Sequence, residues 1–203
     1  VNSGKTVCFF SLEMTRDQLA QRMLSNEACI KSEKLRTGEL SEEDFVNLGI
    51  ASERLSKAPI YFDETSGITV PEIKAKVRRM NGKCDVVMID YLGLLRSTGT
   101  KENRVQEVSE ITRNLKIMAK ELKIPVIACA QLSRGTETKG KSHKPALSDL
   151  RESGSIEQDA DIVLFLYRDT YYDSEKTDDE DRSDPNKAEC IVAKNRHGEI
   201  GTV

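Results

Sequence analysis

Asp85-Val-Val-Met-Ile-Asp90 is a run of apolar, mostly β-branched residues closed by an acid. Apolar side chains at consecutive positions, not alternate ones, mean a strand buried on both faces. Asp90 then stands where that strand ends. In open α/β sheets, ligands bind just beyond the carboxyl ends of the strands. A carboxylate placed there costs desolvation free energy unless something pairs with it. Two readings of Asp90 follow. It caps the next turn, or it holds Mg²⁺ through the ion's waters, as nucleotide-hydrolysing domains do.

Outward from this strand the pattern repeats. Val7-Cys-Phe-Phe-Ser-Leu12 reads as a buried strand ending at Glu13, Ile60-Tyr-Phe62 as a short one, and Pro125-Val-Ile-Ala-Cys-Ala130 as one ending at Gln131. Ile162-Val-Leu-Phe-Leu-Tyr167 and the stretch 188–194 complete the set. Helical signals lie between them. Thr15 and Gln18 form a capping box for a helix reaching about residue 29, with Leu19, Met23 and Leu24 inward. Ser41 and the acids at 42–44 open another, with Phe45, Leu48 and Leu55 inward. Pro71 fits the first turn of a third, carrying Ile73, Val77 and Met80 and ended by Asn81-Gly82. A long amphipathic helix is expected over 103–122, with Val105, Val108, Ile111, Leu115, Met118 and Leu122 at helical spacing. The polar stretch 133–145 reads as a loop, and 173–187, rich in Asp, Glu and Ser, as a disordered acidic insert. His197-Gly198 reads as a hairpin turn. Strands alternating with helices predict an α/β fold, with a mostly parallel central sheet and helices on both faces. The 203 residues suit one such domain, 1–203.

Composition narrows the function classes. The formal net charge of −3 means that any nucleic-acid contact must come from local basic patches, not from a global field. With no Trp and 5% aromatic residues, base stacking would not dominate such contact. Cys8, Cys29, Cys84, Cys129 and Cys190 show no zinc spacing and read as small buried hydrophobes. Scattered free thiols fit a reducing cytoplasm. No apolar run approaches the ~18 residues of a membrane span, and no signal peptide is visible.

The polar residues that stand out follow strand ends: Glu13, Asp90, Gln131 and, after the last long strand, Lys194 and Arg196. Core packing requires no such arrangement, whereas a site does. Ser3-Gly4-Lys5-Thr6 looks like the end of a phosphate-binding loop. That loop must lead into a helix, whose N-terminus supplies the amides that hold phosphate. Here it leads into Val7-Cys-Phe-Phe10, so a surface turn feeding a strand is the better reading.

Seven segments carry a family resemblance: Phe10-Ser-Leu-Glu-Met14, Leu35-Arg-Thr-Gly38, Ile89-Asp-Tyr-Leu92, Lys101-Glu-Asn-Arg104, Gln131-Leu-Ser-Arg134, Arg151-Glu-Ser-Gly-Ser-Ile-Glu-Gln-Asp-Ala-Asp161 and Gly201-Thr-Val203. In this order and spacing they resemble the RecA-like motor domain of the bacterial DnaB-type hexameric replicative helicase. The run from Arg151 is highly specific; the Asp90 strand alone is generic to RecA-like ATPases. The resemblance covers essentially the whole chain. It implies that the phosphate loop of the P-loop ATPase fold lies upstream of residue 1, so that the isolated chain is expected to be inactive without it.

By that resemblance, Glu13 is the catalytic glutamate that polarises the attacking water, and Asp90 is the acid behind Mg²⁺ and ATP. Gln131 is a sensor linking the γ-phosphate to a DNA-facing loop. Lys194 and Arg196 are a basic pair that reaches the neighbouring subunit's nucleotide. Arg151, Glu152 and Gly154 belong to the loop facing the central channel, where a glycine admits a phosphate close to the main chain. Arg134, with Lys139, Lys141 and Lys144, forms a second basic loop, read equally as a solvated one. Glu157, Asp159 and Asp161 fit loop hydrogen bonding better than a metal cluster. His197 departs from the family's usual small polar residue, and the insert at 173–187 is a second departure. The implied partners are single-stranded DNA, identical subunits in a homohexamer, a primase and a helicase loader. The rivals are a RecA-like recombinase-type ATPase and a catalytically inactive module that only assembles or binds DNA.

Overall fold

A computed structural model describes residues 3–99, 103–132, 144–150, 154–168 and 187–203. Arg134, Lys139, Lys141, Arg151, Glu152 and the insert expected at 173–187 lie outside the described residues, Lys187 excepted. The chain forms two compact units, Val1–Thr98 with Ile117–Cys129, and Gly99–Lys116 with Ala130–Val203.

The first unit holds a parallel sheet of β1 (Val7–Ser11), β2 (Ile60–Asp63), β3 (Val86–Asp90) and β4 (Val126–Ala128), in the order β2-β1-β3-β4. Residues that alternate in burial along β3 leave Val87 and Ile89 fully enclosed, beside Cys8 and Phe10 of β1. Helices α1 (Arg16–Glu27), α2 (Ser32–Thr37) and α3 (Glu42–Ser56) connect β1 to β2, and α4 (Val70–Arg79) connects β2 to β3. Each of the starts of α1, α3 and α4 is fixed locally. The Gln18 amide donates to Thr15 Oγ1 (3.3 Å), the Asp44 amide to Ser41 Oγ (3.2 Å), and the Thr69 amide to Glu72 Oε2 (2.8 Å). Asn81 and Gly82, both at positive φ, end the α4 segment as the sequence predicts.

α1–α3 build a small core of Ala28, Ile30 and Ala51, with Leu24, Leu35, Leu40 and Leu48 packed on it. Phe45, expected inside, is 61% exposed. The inward stripe of α3 runs through Leu48 and Ala51, and its first-turn place is taken by Asp44. That carboxylate closes the capping box and pairs with Lys34 Nζ at 2.9 Å, which draws its pKa down to about 2 through the Ser41 amide first and Lys34 next. Val105 of the long helix α5 (Arg104–Leu122) is exposed for a similar reason. The buried stripe through Val108, Ile111, Leu115 and Met118 extrapolates to Arg104, which pairs with Glu107. Among the cysteines, Cys8 and Cys84 are buried as expected, but Cys29 and Cys129 are exposed. Burial raises the Cys8 thiol to about 12, which keeps it protonated.

The second unit pairs β5 (Ile162–Tyr167), β6 (Glu189–Asn195) and β7 (Gly201–Thr202) antiparallel, in that order. The expected parallel arrangement therefore applies to the four-stranded sheet. β6 and β7 are joined by the short turn at His197-Gly198, and a connection that short can only return the chain antiparallel. β5 alternates in burial along its apolar run. Val163 and Phe165 face a core shared with Leu150 and Tyr167 is buried too, while Ile162, Leu164 and Leu166 are exposed among the described residues. The short helix α6 (Gly154–Asp159) precedes β5 and contributes Ile156 to this core.

Ile89, 1% exposed on a strand with neighbours on both sides, tests the core of the first unit. Ile89→Ala is expected to lower stability by about 2–5 kcal/mol, the usual cost of a buried aliphatic truncation that leaves a cavity. Urea unfolding should show a lower midpoint with an unchanged slope. A loss under about 1 kcal/mol would mean that the strand is not the packed centre described here.

Candidate active site

Parallel strands deliver their carboxyl ends to one edge of the sheet. β1 is flanked by β2 on one side and β3 on the other, so the chain leaves β1 in one direction and later resumes in the opposite one. This is the topological switch point, where open α/β sheets leave a crevice beyond the strand ends. Ser11, the last residue of β1, sits opposite Asp90, the last of β3. The Leu12 amide donates to the Asp90 carbonyl at 2.8 Å, which ties the two ends together. Glu13 follows two residues beyond Ser11. The two acids singled out in the sequence thus emerge from adjacent strands at that crevice.

Their surroundings differ. Glu13 is exposed, just before the Thr15 cap of α1. Asp90 is half-buried, and its charge, after burial, helps to raise the pKa of the Cys129 thiol. Neither carboxylate has a hydrogen bond or ion pair to another group among the described residues. By contrast, Asp63 at the end of β2 is engaged by Lys76 Nζ (2.5 Å) and the Thr65 amide (3.0 Å); burial opposes its ionisation, and these partners more than offset it. The Asp90–Tyr91 peptide bond is cis, and the chain turns there into the 3-10 segment Leu92–Leu94. Nothing in the sequence signalled that bond.

A half-buried carboxylate without a protein cation, at a strand end, is the donor that a hydrated divalent ion takes. Asp90 therefore fits Mg²⁺. Among the described residues no group of three or more His, Cys, Asp or Glu could enclose a metal directly. Asp159 accepts a hydrogen bond from Thr112, and Asp161 pairs with Lys116 and Arg196.

Ser3–Thr6 lead into β1 and not into a helix. Lys5 Nζ reaches Asp85 Oδ1 (3.3 Å) and the Thr6 amide donates to Asp85 Oδ2 (2.8 Å), at the amino-terminal side of β3 and therefore opposite to Asp90. The turn reading of these residues stands.

In the second unit, Gln131 is exposed and directly precedes Leu132, which pairs antiparallel with Leu150. Gly154 opens α6, and a Cβ added there would meet nothing within 4 Å. Lys194 and Arg196 flank the end of β6. Lys194 Nζ donates to the Glu157 carbonyl, Arg196 Nη2 donates to the Gln158 carbonyl (3.2 Å), and Arg196 Nε lies 3.4 Å from Asp161 Oδ1. The turn beyond is organised by the Asn195 side chain, whose Oδ1 accepts from the His197 amide (3.3 Å) and whose Nδ2 donates to the Glu199 carbonyl (3.3 Å). A side chain at Gly198 would collide with Asn195, since its Cβ would lie 2.5 Å from Asn195 Nδ2.

Sequence reading missed what holds α6. Thr112 donates to Asp159 (2.6 Å), Ser109 to Ser155 (2.9 Å), and Lys116 pairs with Asp161. The Lys116 hydrogen bond, with Arg196 and His197 nearby, holds the Asp161 carboxyl below its usual range. The signal was available. Ser109, Thr112 and Lys116 recur at three- and four-residue spacing, one position round from the apolar stripe of α5.

This is an α/β domain with paired acids at a switch point, and the comparisons give its family. The model of the DnaB-like helicase C-terminal domain matches residues 1–203. The chain belongs to that family. It is similar to the replicative DNA helicase DnaC of Bacillus subtilis (strain 168), 52% identical over 204 residues covering 99% of this chain and 43% of the relative. It is similar also to the replicative DNA helicase DnaB of Geobacillus stearothermophilus, 50% identical over 204 residues, with the same shares of each chain. Among solved structures, a DnaB-like replicative helicase described with its interactions with primase superposes with a TM-score of 0.90 at 38% identity, covering 100% of this chain and 48% of that one. The chain therefore spans under half the length of these relatives. The RecA-like fold expected from the seven sequence segments is the fold observed. No helix among the described residues is long and apolar enough to cross a membrane.

Proposed function

We propose that this chain is the motor of a ring-shaped replicative DNA helicase, which hydrolyses ATP at subunit interfaces, moves along single-stranded DNA and separates the duplex. The placement of Glu13 and Asp90 on adjacent strand ends at the switch point is the observation that carries this reading. Glu13, exposed and unpaired among the described residues, orients the attacking water and draws on its proton. Asp90 holds the hydrated Mg²⁺. When bound, that ion neutralises charge on the β- and γ-phosphates. Gln131, beside the Leu132–Leu150 pair, senses the γ-phosphate. Arg196 and Lys194 serve the neighbouring subunit's nucleotide, which makes the active site a property of the ring.

The DNA contacts belong to Arg151, Glu152 and Gly154, with Arg134 on a second loop. At Gly154 an open side of the backbone supports close approach to a phosphate without regard to base sequence. Single-stranded DNA, identical subunits in a hexamer, and primase and a loader are the partners, in a cytoplasmic setting. The primase assignment draws on the solved relative described with primase.

The test is strand displacement by the assembled helicase that carries this domain, on a forked duplex with ATP and Mg²⁺. ATP-dependent separation is expected. ATP turnover without any strand separation or movement on single-stranded DNA would sink the helicase reading and favour a recombinase-type ATPase.

A further inference from the structure

α6 is held on two sides within one unit. On one side, the polar stripe of α5 grips it through Ser109–Ser155 and Thr112–Asp159, and Lys116 pairs with Asp161 just beyond it. On the other, its last carbonyls and Asp161 hold the basic pair at the end of β6. Main-chain contact reinforces the second side, since the Arg196 amide donates to the Asp161 carbonyl at 2.9 Å. Cations at a helix C-terminus interact favourably with its unsatisfied carbonyls, which gives these contacts a defined direction. With Nε and Nη2 occupied by Asp161 and Gln158, the guanidinium has a fixed azimuth. Gly154, assigned above to DNA, opens α6, so a displacement of α6 carries the acceptors of both cations with it.

We propose that Asp161 is a positioning residue for Arg196, and that α6 is a rigid tie through which single-stranded DNA sets the aim of the basic pair. This rests on reading Arg196 as a group that serves the neighbouring nucleotide. Asp161 itself touches no substrate. It fixes the rotamer and height of Arg196, and it shares its second oxygen with Lys116, so the pair is referenced to α5 as well.

The experiment uses the assembled helicase with ATP, with and without a thymidine oligonucleotide, and compares Asp161→Asn, Arg196→Ala and the double variant. Asp161→Asn keeps shape and removes charge. It should lower DNA-stimulated kcat by about 10–100-fold, the scale of a displaced catalytic group, with KM for ATP and ring assembly unchanged. The double variant should be no slower than Arg196→Ala alone. Asp161→Glu should recover part of the loss. Hydrogen exchange supplies a readout independent of turnover. The oligonucleotide should alter exchange across 195–199 in the unsubstituted protein and not in Asp161→Asn.

Wild-type turnover in Asp161→Asn, or losses that multiply in the double variant, would overturn the positioning role. Exchange at 195–199 that ignores the oligonucleotide in the unsubstituted ring would overturn the tie. Full activity in Arg196→Ala would instead remove the reading on which the inference rests, and that result stands apart from the other outcomes. Should Asp161→Asn fail to assemble, the Asp161→Glu variant and the exchange measurement on the unsubstituted ring still decide the matter.

Discussion

Glu13→Gln is expected to reduce ATP turnover by about 10²–10⁴-fold, the range for loss of a positioned general base, while nucleotide binding persists. The substitution keeps size and hydrogen-bonding capacity and removes only the charge, which in the proposed role draws on the water's proton. Glu13 is exposed and has no partner among the described residues, so stability should not change. Phosphate release by the assembled helicase gives the rate, and a fluorescent nucleotide analogue gives the affinity. Retained turnover would take Glu13 out of the chemistry and reduce it to a charge ahead of the Thr15 cap.

Arg196→Ala carries the second large effect. Uniform substitution should cost roughly 10³–10⁵ in turnover, the contribution of an arginine finger. The more informative form mixes subunits. Rings assembled from Arg196→Ala and Glu13→Gln subunits, each inactive alone, should regain turnover wherever an intact Glu13 meets an intact Arg196 across an interface. No recovery at any mixing ratio, in rings that assemble, would place Arg196 in its own subunit's site and refute action in trans.

Much of this was legible in the sequence because it is governed locally. Apolar runs fixed β1 and β3, and capping signals at Thr15 and Ser41 fixed the starts of α1 and α3 to the residue. Glu13, Asp90, Gln131, Lys194 and Arg196 could be singled out as candidates because polar residues at the ends of apolar strands stand out. What escaped was non-local. The apolar run of β5 does not reveal that Leu164 and Leu166 face outward, since that depends on what the described chain places against them. Phe45 is apolar in composition, yet Asp44 takes the inward first-turn position because Lys34 lies across from it. The grip of α5 on α6 joins residues more than forty positions apart, and a single sequence holds only one side of each such contact in view at a time.

The Leu132–Leu150 pairing has a bearing on how such domains diverge. The bridge holds Leu132 and Leu150 together across the segment between them, with Leu150 four residues ahead of Gly154. The free-energy cost of closing a loop rises only slowly with its length, about 0.6 kcal/mol for each doubling. Insertions and deletions between those two leucines can therefore accumulate without moving either end. The segment between the two leucines can change in length while the bridge beside Gln131 and the start of α6 at Gly154 keep their places in this unit.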